Sequence, residues 1–370
     1  MKIIFAWGWT WWHIFPSLAI ANNLKSKNKN FEALFLISKN NLDEEILKKN
    51  NLNSKNFFNY KKISSWKLRR YFDLKSVFEN FFDIFKFIFG FFQSLKIILK
   101  FKPDLIFCKW WFVSLPIALA WKILWKKIIL HESDSVMWLA NKIISKFCIW
   151  KNGKIFYWEK IWNPINFNWK KFDDLSQAKK NFRKKMWFNE NQKILFVSWW
   201  SQWAEQINNL IWKNLSKILK NFVVIHLLWK WKKENFLTSI DDKKFLEKNL
   251  KKYISFEFLE SNEYFDFLQI SDLVISRAWA WSISEILFFQ KLSILIPLIW
   301  SAWEHQLKNA EKLEKNNLAK IFVDDWKILP NYEKFLELLK FDFSEIKNNL
   351  KKKNFQNPAK IIAEKINDTL

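Results

Sequence analysis

The sequence predicts an α/β protein made of two similar halves, each a parallel sheet wrapped by helices. Three observations predict it. Short apolar runs of strand length alternate with longer helical runs along most of the chain. The alternation starts twice, at Lys2 and again near residue 193, on either side of a polar interval. Each start is a strand followed by a turn of the same unusual composition: Trp7-Gly8-Trp9-Thr10-Trp11-Trp12-His13 in the first half, Trp199-Trp200-Ser201-Gln202-Trp203 in the second.

In the first half, strands are expected at 2–6, 33–37, 104–108 and 127–131. The helices expected with them are 14–26, 41–50, 75–101, 114–124 and 135–147. The stretch 160–192, with Asn163-Pro164, many Lys and Asn and little apolar periodicity, reads as a boundary. The second half has expected strands near 193–198, 222–228, 254–258, 272–276 and 292–297. Its helices are expected near 202–219, 242–250, 262–270, 282–290 and 304–315, with a polar helical tail from about 334. Two Rossmann-like domains follow, 1–163 and 164–339, with the strand C-termini and helix N-termini of both at one cleft. The C-terminal helix, about 340–370, is expected to pack back on the first domain.

The turns pose a chemical problem. A strand-to-helix turn holds phosphate through unpaired helix N–H groups. It needs glycine for left-handed backbone angles and for close approach of the ligand. Here Trp7, Trp9, Trp11 and Trp12 crowd one turn. The chain has 26 Trp and 3 Gly, together 29 residues or about 8% of its length, close to the roughly 7% that glycine alone contributes on average. The tryptophans stand where glycine belongs, also at Trp229-Lys230-Trp231 and at Ala278-Trp279-Ala280-Trp281. The expectation is that most are glycine in the living protein; UGA codons that the organism reads as glycine are one route to this. Richness in Lys, Asn, Ile and Phe suits an AT-rich genome. The alternative, a Trp-rich chain as written, leaves a large globular protein almost without glycine for its turns.

Composition excludes several classes. Half of the residues are apolar, so the chain folds rather than staying disordered. Cys108 and Cys148 make no disulfide framework. His13, His131, His226 and His305 are scattered without metal-ligand spacing, so neither metal nor cofactor is expected. There is no leader-like segment at Met1-Lys2 and no apolar run of spanning length, which places the chain in the cytoplasm as an expectation. The net charge of +25 favours an anionic partner, although lysine on solvated faces accounts for much of it. No nucleic-acid-binding motif is present, so nucleic acid is not the expected partner.

Residues 66–102 stand apart. Phe72, Phe78, Phe81, Phe82, Phe85 and Phe89 crowd a segment rimmed by Arg69, Arg70, Lys75, Lys86 and Lys96. An aromatic face with a basic rim is what lies on an anionic membrane. The competing reading is a helix pair buried against the sheet.

With glycine at the suspect positions, an ordered set of motifs appears. It runs from the first turn with Thr10 and His13 through Ser64-Ser65-Trp66-Lys67-Leu68-Arg69-Arg70, Trp110-Trp111-Phe112-Val113-Ser114 and His131-Glu132-Ser133-Asp134. It continues with Asn163-Pro164, Ser198 to Ala204, Ser276 to Glu285, and His305-Gln306 with Asn309-Ala310. The set resembles glycosyltransferase family 28, in particular its members that add N-acetylglucosamine to lipid-linked muramyl-pentapeptide, over nearly the whole chain. The resemblance implies a GT-B fold, two Rossmann-like domains facing a cleft, and inverting transfer from UDP-N-acetylglucosamine to undecaprenyl-diphospho-muramyl-pentapeptide. It places the enzyme peripherally on the cytoplasmic face of the membrane, docked through 66–102.

The resemblance also implies roles. Thr10, Trp11 and Trp12 stand in the turn that faces sugar and acceptor diphosphate, with His13 beside them as candidate base; the alternative for His13 is phosphate binding at a helix start. Asp134 falls at a sugar contact, and Ser201 at the donor diphosphate. Leu259 falls where backbone pairs with uracil. Ala280, Trp281 and Ser282, continuing through Ile283 and Ser284, open a helix whose dipole stabilises the departing diphosphate. Glu285 falls at the ribose hydroxyls, with a capping-box glutamate as the alternative, and Gln306 falls at the sugar hydroxyls. Asn166 stands where the family usually has an arginine toward the donor, which leaves that charge to helix N-termini or to Lys170. Two rivals remain: a GT-B enzyme with a diacylglycerol acceptor, and a dinucleotide-dependent oxidoreductase. The second should end its second strand with an acidic residue, but Leu36-Ile37-Ser38-Lys39 has none.

Overall fold

The computed structural model describes residues 1–6, 11–39, 44–45, 47–48, 51, 57–65, 74–109, 113–124, 127–132, 134–147, 153–156, 163–165, 174–185, 191–198, 205–228, 248–299, 304–323, 331–353 and 355–370. They fall into two compact units, Met1–Phe167 with Gln356–Leu370, and Asn168–Phe355.

The first unit runs β1 (Lys2–Ala6), α1 (Trp11–Lys27), β2 (Glu32–Ile37), β3 (Asn59–Lys62), α2 (Leu74–Phe101), β4 (Leu105–Lys109), α3 (Ser114–Ile123), β5 (Lys127–His131), α4 (Leu139–Phe147) and β6 (Gly153–Phe156). Its described strands form a parallel sheet in the order β3-β2-β1-β4-β5-β6. The period of two in each strand feeds two cores. Ile3, Phe5, Phe35 and Phe107 join Ile14 and Leu18 of α1 and Ile362 and Ile366 of the C-terminal helix. Ile4, Leu34, Ile106 and Leu130 join Ile97, Ile117 and Trp121 on the opposite face. Phe5 stacks on Phe35 at 5.1 Å, and Phe35 meets Phe58 at 5.4 Å, so aromatic pairs tie neighbouring strands together.

The second unit runs α5 (Leu175–Lys185), β7 (Lys193–Ser198), α6 (Glu205–Lys213), α7 (Leu215–Ile218), β8 (Phe222–Leu227), β9 (Tyr253–Phe256), α8 (Ser261–Ile270), β10 (Leu273–Ser276), α9 (Ala280–Phe288), β11 (Leu292–Leu295), α10 (His305–Lys315), β12 (Lys320–Ile321), α11 (Tyr332–Lys340) and α12 (Ser344–Lys352). Its described strands are also all parallel, in the order β12-β11-β10-β7-β8-β9. Counted from its own first strand, this repeats the order of the first unit. Of the tail helices, only α13 (Pro358–Asn367) returns to the first unit, where it packs on α1.

Four elements depart from the sequence expectation: β3, β6, β12 and α5. β3 (Asn59–Lys62) and β6 (Gly153–Phe156) are edge strands, and β3 has no buried residue to create an apolar alternation. α5 lies in the stretch read as a boundary; it buries no residue and is held by Lys179 and Arg183, which pair with Asp272. The expected helices at 41–50 and 242–250 lie largely outside the described residues.

In an open parallel sheet, ligands bind beyond the strand C-termini where the strand order reverses. That point lies between β1 and β4 in the first unit and between β7 and β10 in the second. The hydroxyl of Ser114, at the start of α3, donates to the Ala6 carbonyl at 2.9 Å and ties the two sides of the first reversal together.

Helix α2 packs Phe87, Phe91 and Leu95 against the core and leaves a second, aromatic face exposed. Its buried stripe is Asp83, Gly90, Ser94, Ile97 and Ile98, while Phe78, Phe81, Phe85 and Phe92 are each more than half exposed. Gly90 is needed where it stands, because a Cβ there would lie 2.0 Å from the Ser64 carbonyl oxygen. Gln93, one turn on, accepts from the Ser64 amide at 2.9 Å. Gly90→Ala is therefore expected to destabilise by about 1–3 kcal/mol through overpacking, outweighing a helix-propensity gain of up to about 1 kcal/mol. The obstructing atom is backbone and cannot rotate away. A lower denaturant midpoint checks this, and an unchanged or raised midpoint contradicts it.

Candidate active site

The second unit's reversal point is built around the start of α9. The first intrahelical bond runs from the Ile283 amide to the Trp279 carbonyl at 3.0 Å. The amides of Ala280, Trp281 and Ser282 precede it, and no side chain caps the helix. Its first turn also carries no acidic residue to neutralise the positive end of the dipole. This is an anion-binding arrangement of backbone donors. Ile283 is fully buried, and the Ser284 hydroxyl donates back to the Ala280 carbonyl at 2.8 Å, so these two side chains serve the helix itself.

The approach to α9 is fixed by groups missing from the sequence-derived site. Arg277 is buried, and its guanidinium donates to the Ile296 carbonyl at 3.2 Å and to Gln206 at 2.9 Å. Burial lowers its pKa to about 10. Asn309 donates to the Ala278 carbonyl at 3.2 Å. An arginine directly after the apolar strand Leu273–Ser276 was the available signal. Glu304 precedes α10 with a left-handed φ of 53°, a costly conformation for a residue with a side chain. The turn delivers Gln306 to a buried position, where its Oε1 accepts from the Leu298 amide at 3.0 Å. Its Nε2 has no partner among the described residues.

Glu285 is the sixth residue of α9, so it does not form a capping box there. The capping box of this region is Glu260 with Glu263 at the start of α8, which fixes the chain at Leu259. Glu285 is half-buried and its Oε2 accepts from the Tyr264 hydroxyl at 3.1 Å. Burial raises its pKa to about 8, against the lowering effect of the Tyr264 bond.

In the first unit, β4 and β5 bring together a second polar cluster. Lys109 is buried opposite His131 in the ladder and donates to Asn163. Burial drives its pKa well below the usual lysine range, against the attraction of Asp134 and Glu132. Glu132 is buried and accepts from Asn141 at 2.7 Å and from the Trp138 amide at 3.2 Å. Asp134 accepts from the Trp138 indole at 2.8 Å. Burial first, and the Asp134 charge second, raise the Glu132 pKa to about 7.

Raised above its ordinary value of 4.5, Glu132 contributes stability that is fully present below that value and lost as pH rises through about 7. The thermal midpoint is expected to fall across this window in the wild type and to fall less in Glu132→Gln. Identical pH slopes for the two proteins contradict the assignment.

Thr10, Asn166 and Ser201 lie outside the described residues, as do the side chains of Trp11, Trp12 and His13, whose backbone forms the first turn of α1. The structure thus places Leu259, residues 280–285 and Gln306 after the strands β9, β10 and β11 of the second unit, and Asp134 after β5 of the first.

Comparison with known proteins agrees over the whole length. The glycosyltransferase family 28 N-terminal domain model matches residues 3–149, and the family 28 C-terminal domain model matches residues 194–366. The UDP-N-acetylglucosamine--N-acetylmuramyl-(pentapeptide) pyrophosphoryl-undecaprenol N-acetylglucosamine transferase of Clostridium perfringens strain SM101 is 36% identical over 329 residues, 88% of this chain and 86% of the relative. The transferase of the same name from Clostridium botulinum strain Alaska E43 is 33% identical over 371 residues, 99% of this chain and 97% of the relative. Among solved structures, Acinetobacter baumannii MurG superposes with a TM-score of 0.71 at 17% identity, over 99% of each chain. A Neisseria meningitidis UDP-GlcNAc 2-epimerase bound to UDP-GlcNAc gives 0.61 at 13% identity, over 100% of this chain and 99% of that one. The fold is GT-B, two parallel-sheet α/β domains. With both domain models matched in order and the relatives aligned nearly end to end, the chain belongs to glycosyltransferase family 28.

Proposed function

We propose that this chain transfers N-acetylglucosamine from UDP-GlcNAc to the muramyl 4-hydroxyl of undecaprenyl-diphospho-muramyl-pentapeptide, converting lipid I to lipid II in peptidoglycan synthesis. The observation that carries the reading is identity of 33–36% along nearly the full chain to transferases of that name. The uncapped start of α9 supports the leaving-group chemistry. As the bond from sugar to diphosphate breaks, negative charge grows on the diphosphate, and fixed backbone donors stabilise it without reorganising.

In this reading the second unit takes the donor. Ala280, Trp281 and Ser282 hold the diphosphate through their amides, with Ser201 beside them. Glu285 accepts from the ribose hydroxyls, the backbone at Leu259 pairs with uracil, and Gln306 contacts the sugar. The first unit takes the acceptor. Thr10 and the turn after it face the acceptor diphosphate, Asp134 contacts the sugar, and His13 removes the proton of the attacking hydroxyl. Attack from the face opposite the diphosphate inverts the anomeric centre. Asn166 supplies no cation, so the helix N-terminus carries the charge.

Docking to the cytoplasmic face of the membrane completes the reading. The exposed aromatic face of α2 continues into an apolar groove of about 500 Å³ against α3, lined by Phe87, Phe91, Phe92, Leu119 and Ile123. Lys86, Lys96 and Lys100 stand exposed along the same helix. None of the described helices is long and apolar enough to cross a membrane. The face therefore suits a peripheral enzyme whose acceptor is anchored in lipid.

The test is an acceptor comparison with the native protein and labelled UDP-GlcNAc. Transfer to a lipid-linked muramyl-pentapeptide, with none to diacylglycerol, is the expected result. Transfer to diacylglycerol alone, or no transfer to either, overturns the assignment.

A further inference from the structure

We propose that Tyr264 is a positioning residue for the donor's ribose: its hydroxyl fixes one oxygen of Glu285 so that the other is presented to the ribose. The proposal rests on the reading of Glu285 given above.

The argument is geometric. Tyr264 belongs to α8 and Glu285 to α9, so the bond at 3.1 Å joins side chains from two helices that flank the β10 strand in sequence. The tyrosine is 3% exposed and its ring has little freedom. It packs on Phe196 of β7 at 5.5 Å and on Phe265 at 5.3 Å. A hydroxyl on a clamped ring is a fixed donor, whereas water at the same place would be mobile. Among the described residues, the only donor bonded to the Glu285 carboxylate is Tyr264, and it reaches Oε2. Oε1 is left to accept from a ligand.

A carboxylate with one oxygen fixed cannot rotate about its terminal bond without breaking that bond. This favours a ligand that presents hydroxyl donors from one direction, as a ribose does. The bond also opposes the effect of burial on the same carboxyl, holding it toward the ionised form that accepts best.

The test compares wild type with Tyr264→Phe, which keeps the ring and removes only the donor. KM is measured for UDP-GlcNAc and for its 2′-deoxyribose analogue, together with kcat and the pH profile of kcat/KM. The variant is expected to raise KM for UDP-GlcNAc about tenfold, the effect of losing one hydrogen bond to a charged group, with kcat within about twofold. The wild type's preference for ribose over deoxyribose should shrink, and the acid limb of kcat/KM should move to higher pH. In a Glu285→Ala background the same change should have no further effect on KM. An unchanged KM, or a rise that is equal for both donors and persists in the Glu285→Ala background, overturns the positioning role and leaves the transferase reading standing. A wild type that does not use UDP-GlcNAc overturns both.

Discussion

A chain bearing glycine at positions 7, 9, 11 and 12 is expected to transfer the sugar, and a chain synthesised with tryptophan at those positions is expected to be inactive. Loss of one fixed donor to a developing anion costs about 10²–10³ in rate. Four indoles would occupy the space of the ligand as well as restrict the backbone, so the expected difference exceeds about 10³-fold on the same principle. The turn follows β1, at the strand-order reversal where phosphate ligands are bound. Residues 7–10 lie outside the described part of the chain, so this expectation rests on chemistry and on the position of the turn in the sheet. Elsewhere the exchange has a visible consequence. The Trp138 indole donates to Asp134, and glycine at 138 would remove that donor from a carboxylate proposed to contact the sugar. Equal rates from the two synthetic chains would contradict the expectation.

The second large effect concerns the membrane. Phe78, Phe81 and Phe85 are 66%, 56% and 58% exposed on α2 and touch one another or Phe82 edge-on. Full burial of a phenylalanine is worth about 1.5–3 kcal/mol. Replacing all three by serine is therefore expected to weaken binding to anionic vesicles by about 50- to 2,000-fold, allowing about half of that burial for each ring. Binding should also fall with salt, since each basic residue near an anionic surface contributes about 1 kcal/mol. Turnover on a short, water-soluble acceptor should be nearly unchanged in the triple variant, because none of these rings belongs to the proposed chemistry. Vesicle sedimentation alongside the soluble assay checks both parts. Unchanged vesicle binding would contradict the docking face.

Much of the fold was legible because its signals are local. Lys2–Ala6, Lys127–His131 and Lys193–Ser198 are strands at the expected residues, since buried parallel strands write short apolar runs. β3 was not legible: at the sheet edge, Asn59, Lys61 and Lys62 face solvent and no periodicity remains. α5 was missed for the complementary reason, being a helix with no buried stripe. The segment 66–102 left two readings open, and composition alone did not separate them. In the structure Ser94 faces inward while Phe78, Phe81, Phe85 and Phe92 are exposed, so α2 is not buried all round, and docking of that face to a membrane is the proposal made above. In the candidate site, the uncapped start of α9 was readable as strand, turn and helix. Tyr264 was not, since it reaches Glu285 from 21 residues away and no spacing rule marks that pairing.

The most direct measurement is tandem mass spectrometry of the tryptic peptide Ile3–Lys25 from native protein that is shown, in the same preparation, to transfer N-acetylglucosamine. Glycine at positions 7, 9, 11 and 12 is the predicted result. Tryptophan at those positions in an active enzyme would contradict a site formed by bare backbone amides.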